Sequence, residues 1–196
     1  MLYRQCVESM LCLQTSSYDI VIENDPLYTP GSADHLRTYG HQYWLGEQDY
    51  RPSSQHSLRV MKSNIEVASC ILLTTGGPSG VHEHSASLHE LSCIIAVGPF
   101  MCSLEIPHLH LQWYRQVDRA TCFGVYYASK HNCYISHGEL EITCVSCTGE
   151  LKWSVSGRDI FTNGFYLHDD YVEVVDWNDE VYHIELPCGE SWLVTA

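Results

Sequence analysis

No stretch of the chain approaches the roughly 18 consecutive apolar residues that a membrane-spanning helix needs, so a membrane span is not expected. Positive charge is scarce. Ten Lys and Arg stand against 24 Asp and Glu, giving −14 with histidine neutral. Such a surface repels phosphate backbones and argues against direct binding of DNA or RNA. Complete catalytic signatures are missing as well: there is no G-x-S-x-G elbow, no phosphate-binding loop and no Rossmann glycine pattern. Gly76-Gly77-Pro78-Ser79-Gly80 follows an apolar run, but Pro78 removes an amide and no lysine follows, so it makes a poor phosphate cradle. The opening MLYRQCVESMLCLQ contains Glu8 and lacks a small-residue cleavage site, unlike a secretory signal. Ten cysteines without a signal point to reduced thiols and a cytoplasmic location.

What the chain does have is a repeat. Cys93, Gly98 and Trp113 recur 40 residues later as Cys133, Gly138 and Trp153, and a looser third unit places Tyr171, Asp179 and Trp192 in those roles. Each unit reads as apolar strand, turn, alternating strand, Gly-Glu turn and tryptophan strand, a β-repeat signature. Hydrophobic residues make up 45% of the chain, enough for a sizeable core. The expected fold is all-β, with antiparallel hairpins or blades of about 40 residues in one domain, residues 1–196. Residues 1–64 read as an irregular and β extension, and 65–196 as the repeat core, with units near 74–113, 114–153 and 154–192.

Within the extension, residues 3–14 suit either a short amphipathic helix or a strand. Asp19 to Glu23 reads as a strand stopped by Asn24-Asp25-Pro26. Residues 28–57, rich in turn formers and aromatics, read as a long loop with one short strand near His41 to Leu45. Ile65 to Thr74 is a buried strand by its apolar run.

The hairpins TGELKW (148–153) and CGESW (188–192) resemble the blades of β-propellers of the quinoprotein-like and WD-type kinds. The resemblance covers residues 91–192 and implies a propeller-like stack of blades, incomplete because three units are visible, with a weak fourth near residues 18–72, whereas a closed propeller needs at least four. A β-sandwich of the same hairpins is the rival architecture. No cofactor-binding residue of those families has a counterpart here.

Several constellations carry possible chemistry. His82-Glu83-His84 and His108-Leu109-His110 are i, i+2 pairs, which share one side of an extended strand. Together these four imidazoles would suit Zn or another divalent transition metal if their strands lay side by side. The run from Gly76 resembles the first motif of the cupin family, but Glu90 lies too far on. No second motif follows, since Pro187-Cys188-Gly189 leads to Trp192 where histidine is required. Cys144-Val145-Ser146-Cys147, with His131, Cys133 and His137, offers a single C-x-x-C without the second half of a zinc knuckle. Ser136-His137 and His84-Ser85 set hydroxyl beside imidazole, and adjacency in sequence is not triad geometry.

The third unit is crowded with Asp169, Asp170, Tyr171, Glu173, Asp176, Trp177, Asp179 and Glu180, followed by Glu185 and Glu190. Tyr and Trp beside charge are what protein interfaces use as anchors. The expected function is therefore a non-catalytic acidic interaction protein, an inhibitor or immunity-type partner of a basic protein. Self-association to complete the stack is the other partner expectation. A metalloprotein with a histidine-cluster site is the alternative function.

Overall fold

The computed structural model describes residues 4–7, 10–32, 37–48 and 51–194. Among these, strands dominate, with one short 3-10 turn at Ser129–His131. They form four sheets. Sheet 1 contains β1 (Arg4–Val7), β2 (Met10–Gln14), β3 (Asp19–Asn24), β4 (His41–Leu45), β5 (Ser54–Lys62) and β6 (Ile65–Thr74), in the order β1-β2-β3-β5-β6-β4. The remaining three are four-stranded meanders. Sheet 2 holds β7 (Ala86–His89), β8 (Ser92–Val97), β9 (Phe100–Glu105) and β10 (Leu111–Gln116). Sheet 3 holds β11 (Cys122–Ala128), β12 (Cys133–Gly138), β13 (Glu141–Ser146) and β14 (Leu151–Ser156). Sheet 4 holds β15 (Gly164–Leu167), β16 (Tyr171–Val175), β17 (Val181–Glu185) and β18 (Ser191–Leu193).

The sheets stack in chain order, and strand alternation shows how. In β8, Cys93, Ile95 and Val97 enter a core shared with Leu11, Ile20, Leu58 and Leu72 of sheet 1. Their neighbours Ile94 and Ala96 enter a second core with Val125, Tyr134 and Val145 of sheet 3. A third core joins Cys133, Ile135, Cys144 and Trp153 of sheet 3 to Val172, Val174, Tyr182 and Ile184 of sheet 4. A strand covered on both faces needs apolar residues at successive positions, which is why β8 and β12 lack the polar alternation of a half-exposed sheet. Sheet 4 is covered on one face, and β16 and β17 alternate accordingly, Val172, Val174, Tyr182 and Ile184 inward and Tyr171, Glu173 and His183 outward. Four sheets in a row decide for the propeller-like stack over the two-layer sandwich.

Asp118 ties one connection to the next. This buried carboxylate accepts from the backbone N–H groups of Ala120, Thr121, Leu140 and Glu141, joining the β10–β11 link to the β12–β13 turn.

Four expectations change. The helix alternative at residues 3–14 gives way to the hairpin β1–β2, paired Arg4↔Leu13 through Val7↔Met10; positions 3, 8 and 9 lie outside the described residues. The loop expected over 28–57 ends early, because β5 begins at Ser54; residues 33–36 and 49–50 of it lie outside the described set. Residues 1–64 are not an irregular extension but the main source of sheet 1, and the 64/65 division falls in the turn of the β5–β6 hairpin, where Lys62 pairs with Ile65. The repeat is also offset by one position at its start. Cys93 pairs with Leu104, whereas Cys133 pairs with Ser146, so the residue equivalent to Cys133 is Ser92, opposite Glu105. Cys93 faces sheet 1 and Cys133 faces sheet 4, the inversion that a one-residue slip produces.

Candidate functional site: the open face of the last sheet

The joints between sheets share one device. Trp113, on the last strand of sheet 2, donates its indole N–H to the Cys147 carbonyl in the β13–β14 turn, 3.2 Å away. Trp153, on the last strand of sheet 3, donates to the Leu186 carbonyl in the β17–β18 turn at 2.9 Å. Each indole lies flat against a glycine of that turn, Gly149 or Gly189, both with positive φ (85° and 74°). No side chain fits there: a Cβ on Gly149 would sit 2.7 Å from Trp113 ring atoms. The joint between sheets 1 and 2 is a variant. Tyr43 of β4 donates its hydroxyl to the Leu109 carbonyl at 3.1 Å, and Leu109 occupies the glycine's place with φ 59°. β4 runs parallel to β6, out of chain order, to put Tyr43 there.

Trp192 is the next member of the series, on the last strand of sheet 4. It is 44% exposed, whereas Trp153 is 9% exposed. No buried apolar cluster among the described residues joins sheet 4 back to sheet 1. Among the described residues, the outward face of sheet 4 is thus uncovered. Register places Tyr166, Glu173, His183 and Trp192 in one row across its four strands. Rings continue along it: His168 to Tyr171 at 4.3 Å, Tyr171 to His183 at 4.5 Å and His183 to Trp192 at 5.9 Å between centroids. The Glu173 carboxylate accepts from His183 Nε2–H at 2.9 Å, which fixes the middle of the row. Residues 159–194 carry nine Asp and Glu and no Lys or Arg.

Of the eight expected partner-binding residues, only some lie on this face. Tyr171 and Glu173 do. Asp176 does not: it is buried and accepts from the N–H groups of Asn178 and Glu180 and from the Tyr182 hydroxyl, a turn-building role. Trp177, Asp179 and Glu180 belong to that same β16–β17 turn, where Asn163 donates to Asp179 and Arg158 pairs with Glu180. Asp169 and Asp170 sit at the opposite end, with Lys130 and His131 beside Asp170. The Lys130 ammonium holds the Asp170 carboxyl below its ordinary range. Sequence reading missed His168, His183 and Trp192 as face residues; the third repeat of the tryptophan was the available signal.

The four expected metal ligands are not brought together. His82 and His84 precede β7, whereas His108 and His110 lie on the β9–β10 turn, at the diagonally opposite corner of sheet 2. His82 spends both nitrogens on backbone: Nε2–H donates to the Phe123 carbonyl at 2.6 Å and Nδ1 accepts from His84 N–H at 3.2 Å. With His84, Phe123, Tyr126, His137 and Phe165 it lines an open cavity of about 430 Å³ at the start of the first strands of sheets 2 to 4. Burial pushes the His137 imidazole down to about 4, and its Nε2–H donates to the Phe161 carbonyl. His108 and His110 instead gain His41, whose ring lies 5.4 Å from that of His110.

The cysteine and serine constellations are structural. Cys144 is buried facing sheet 4, while the Cys147 thiol donates to Asn132 from the turn. The hydrogen bond with Cys133, and then burial, push the Cys144 thiol up. Ser85 donates to the Gly80 carbonyl and accepts from His82 N–H, and buried Ser136 donates to Thr143 O, so neither hydroxyl is paired with an imidazole base. Among the described residues, the one group with three metal-binding atoms within 4.8 Å of one another is the exposed Glu185, Cys188 and Glu190.

No family model matches the chain, and no curated protein matches it by sequence. Solved structures do. BamB from Moraxella catarrhalis, a β-propeller, matches with a TM-score of 0.54 at 13% identity, over 96% of this chain and 61% of that one. The computationally designed Ika8 protein matches with a TM-score of 0.52 at 9% identity, over 98% of this chain and 59% of that one. The chain therefore spans about three fifths of the length of each. At this identity the likeness is one of fold, and the fold of this chain is all-β and propeller-like.

Proposed function

We propose that the chain is a non-catalytic interaction protein whose binding surface is the bare face of sheet 4 and whose partner is a basic protein. One observation carries the proposal. The aromatic that closes each internal joint is present once more as Trp192, exposed, with no turn among the described residues to receive it. The surrounding row is built from the residue types that anchor interfaces: Tyr166, Tyr171, His183 and Trp192 supply large contact area, and ring contacts already limit the freedom of Tyr171, His183 and Trp192. Charge chooses the partner. The chain's balance of −14, with Glu173 in the middle of the row, favours a cationic surface and disfavours a second copy of the same acidic chain. Coverage of the partner's cationic surface is the act of an inhibitor or immunity-type protein.

Immobilised full-length chain and its Trp192→Ala variant should be compared for partner capture from a lysate across increasing salt. The wild type should capture basic proteins that are released as salt rises, with capture reduced at least tenfold in the variant. Equal capture by both proteins, or capture that ignores salt, would defeat the proposal.

A further inference from the structure

We propose that His41, His108 and His110 form a binding site for a divalent transition metal ion, Zn2+ in the first instance, which staples β4 to the β9–β10 turn. The three imidazoles come from two sheets and form a row at one corner, with His110 in the middle. The His41 and His110 rings lie 5.4 Å apart between centroids, and those of His108 and His110 5.8 Å apart. Zn–N bonds of about 2.0–2.1 Å hold imidazole centres about 5 Å from one another around a tetrahedral ion, close to the two spacings here, and the side chains must rotate to turn their three nitrogens toward one point, since these do not lie within 4.8 Å of one another.

Two local features prepare the corner. Glu105 Oε2 accepts from His110 Nδ1–H at 3.3 Å, which directs the Nε2 lone pair outward. A carboxylate on the far nitrogen is the usual support of a metal-binding histidine. Between the two turn histidines, Leu109 sits in the left-handed region with its side chain buried, and that fixes both imidazoles on the solvent side. The ligand chemistry is three neutral imidazoles with open positions for water, a set that suits Zn2+, Cu2+ or Ni2+ rather than Ca2+ or Mg2+.

The location gives the ion a task. This is the joint where Tyr43 and Leu109 replace the Trp-Gly pair, and where the closing strand arrives out of chain order. An ion bridging His41 to His108 and His110 fastens that strand, and because it binds the folded state alone it raises the unfolding temperature.

The test uses the full-length chain without a histidine tag, stripped with EDTA and titrated calorimetrically with ZnCl2, then melted with and without the ion. One equivalent should bind. Affinity should fall at least tenfold in His41→Ala and in His110→Ala, and about tenfold in Glu105→Gln, the range for a lost supporting carboxylate. His82→Ala should bind as the wild type does. The melting temperature should rise with ZnCl2 in the wild type and not in His41→Ala. Circular dichroism checks that the sheets stay intact in each variant. Absence of saturable binding, or unchanged affinity in His41→Ala, overturns the site. Neither result touches the proposal for sheet 4, which involves other residues.

Discussion

Gly189→Ala probes the inter-sheet joint most directly. Gly189 has φ 74°, and a Cβ there would lie 2.7 Å from Trp153 Cγ, 2.8 Å from Cδ2 and 2.9 Å from its Cβ. Two costs follow. The left-handed backbone costs an alanine about 1–2 kcal/mol. Moving a packed indole, whose N–H is held by Leu186, adds about 1–3 kcal/mol of overpacking. Gly31 separates them, since its φ is 79° and nothing lies within 4 Å of the added carbon. Gly31→Ala should therefore cost only the first amount. In a Trp153→Ala background, itself costing about 3–5 kcal/mol, the indole is gone, only the 2.9 Å contact with the retained Cβ remains, and Gly189→Ala should cost clearly less, nearer to about 1–2 kcal/mol. The resulting coupling of about 1–3 kcal/mol is of the size found for residues in contact. Urea denaturation of the four proteins of the cycle, with Gly31→Ala alongside, measures all of this from midpoints at constant slope. The reasoning fails if Gly189→Ala costs no more than Gly31→Ala, or if its cost is the same with and without the tryptophan.

Trp192→Ala should cost under about 1 kcal/mol in the same assay, because an exposed ring without a neighbouring sheet loses little on truncation; a loss near that of Trp153→Ala would show the face to be covered. Asp118→Ala should cost about 3 kcal/mol or more, since it strips the acceptor from four backbone N–H groups in a buried link, and a value under about 1 kcal/mol by denaturation would refute that role. Stability should also fall on mild acidification. Burial lowers His56 and His137 from an ordinary 6.5 to about 4, so the unfolded chain binds their protons first. Their contribution is intact above about pH 6.5 and is lost as pH falls toward about 4. At 1.36 kcal/mol per pH unit this amounts to as much as about 3 kcal/mol for each. A flat urea midpoint over that interval would show both imidazoles to be accessible to water.

The repeat was legible because tryptophan is rare and its spacing conspicuous, and the apolar runs at Cys93–Val97 and Cys70–Leu73 told of buried strands, although β6 begins exposed at Ile65 and Val67. Pairing was less legible. A one-residue slip leaves an apolar run looking the same, so Cys93 and Cys133 seemed equivalent while pointing to opposite neighbours. β5 was hidden by Ser54, His56 and Ser57, polar residues that are buried here and read as loop in a sequence. Parallel pairing of β4 with β6 leaves no local trace, because β5 and two turns intervene. For the same reason His41 could not be placed beside His110. Asp176 misled because a buried turn carboxylate and an exposed one are written with the same letter.

The two ends of the stack differ in a way that governs assembly. The outward side of sheet 1 already has occupants from its own chain: Arg37 pairs with Glu23, Gly40 N–H donates to Ser69 Oγ, and Tyr39 reaches Asp25. A neighbouring copy that offered sheet 4 to that side would meet this cover instead of an open sheet. Head-to-tail stacking of one copy on the next would have to displace residues 37–40 first.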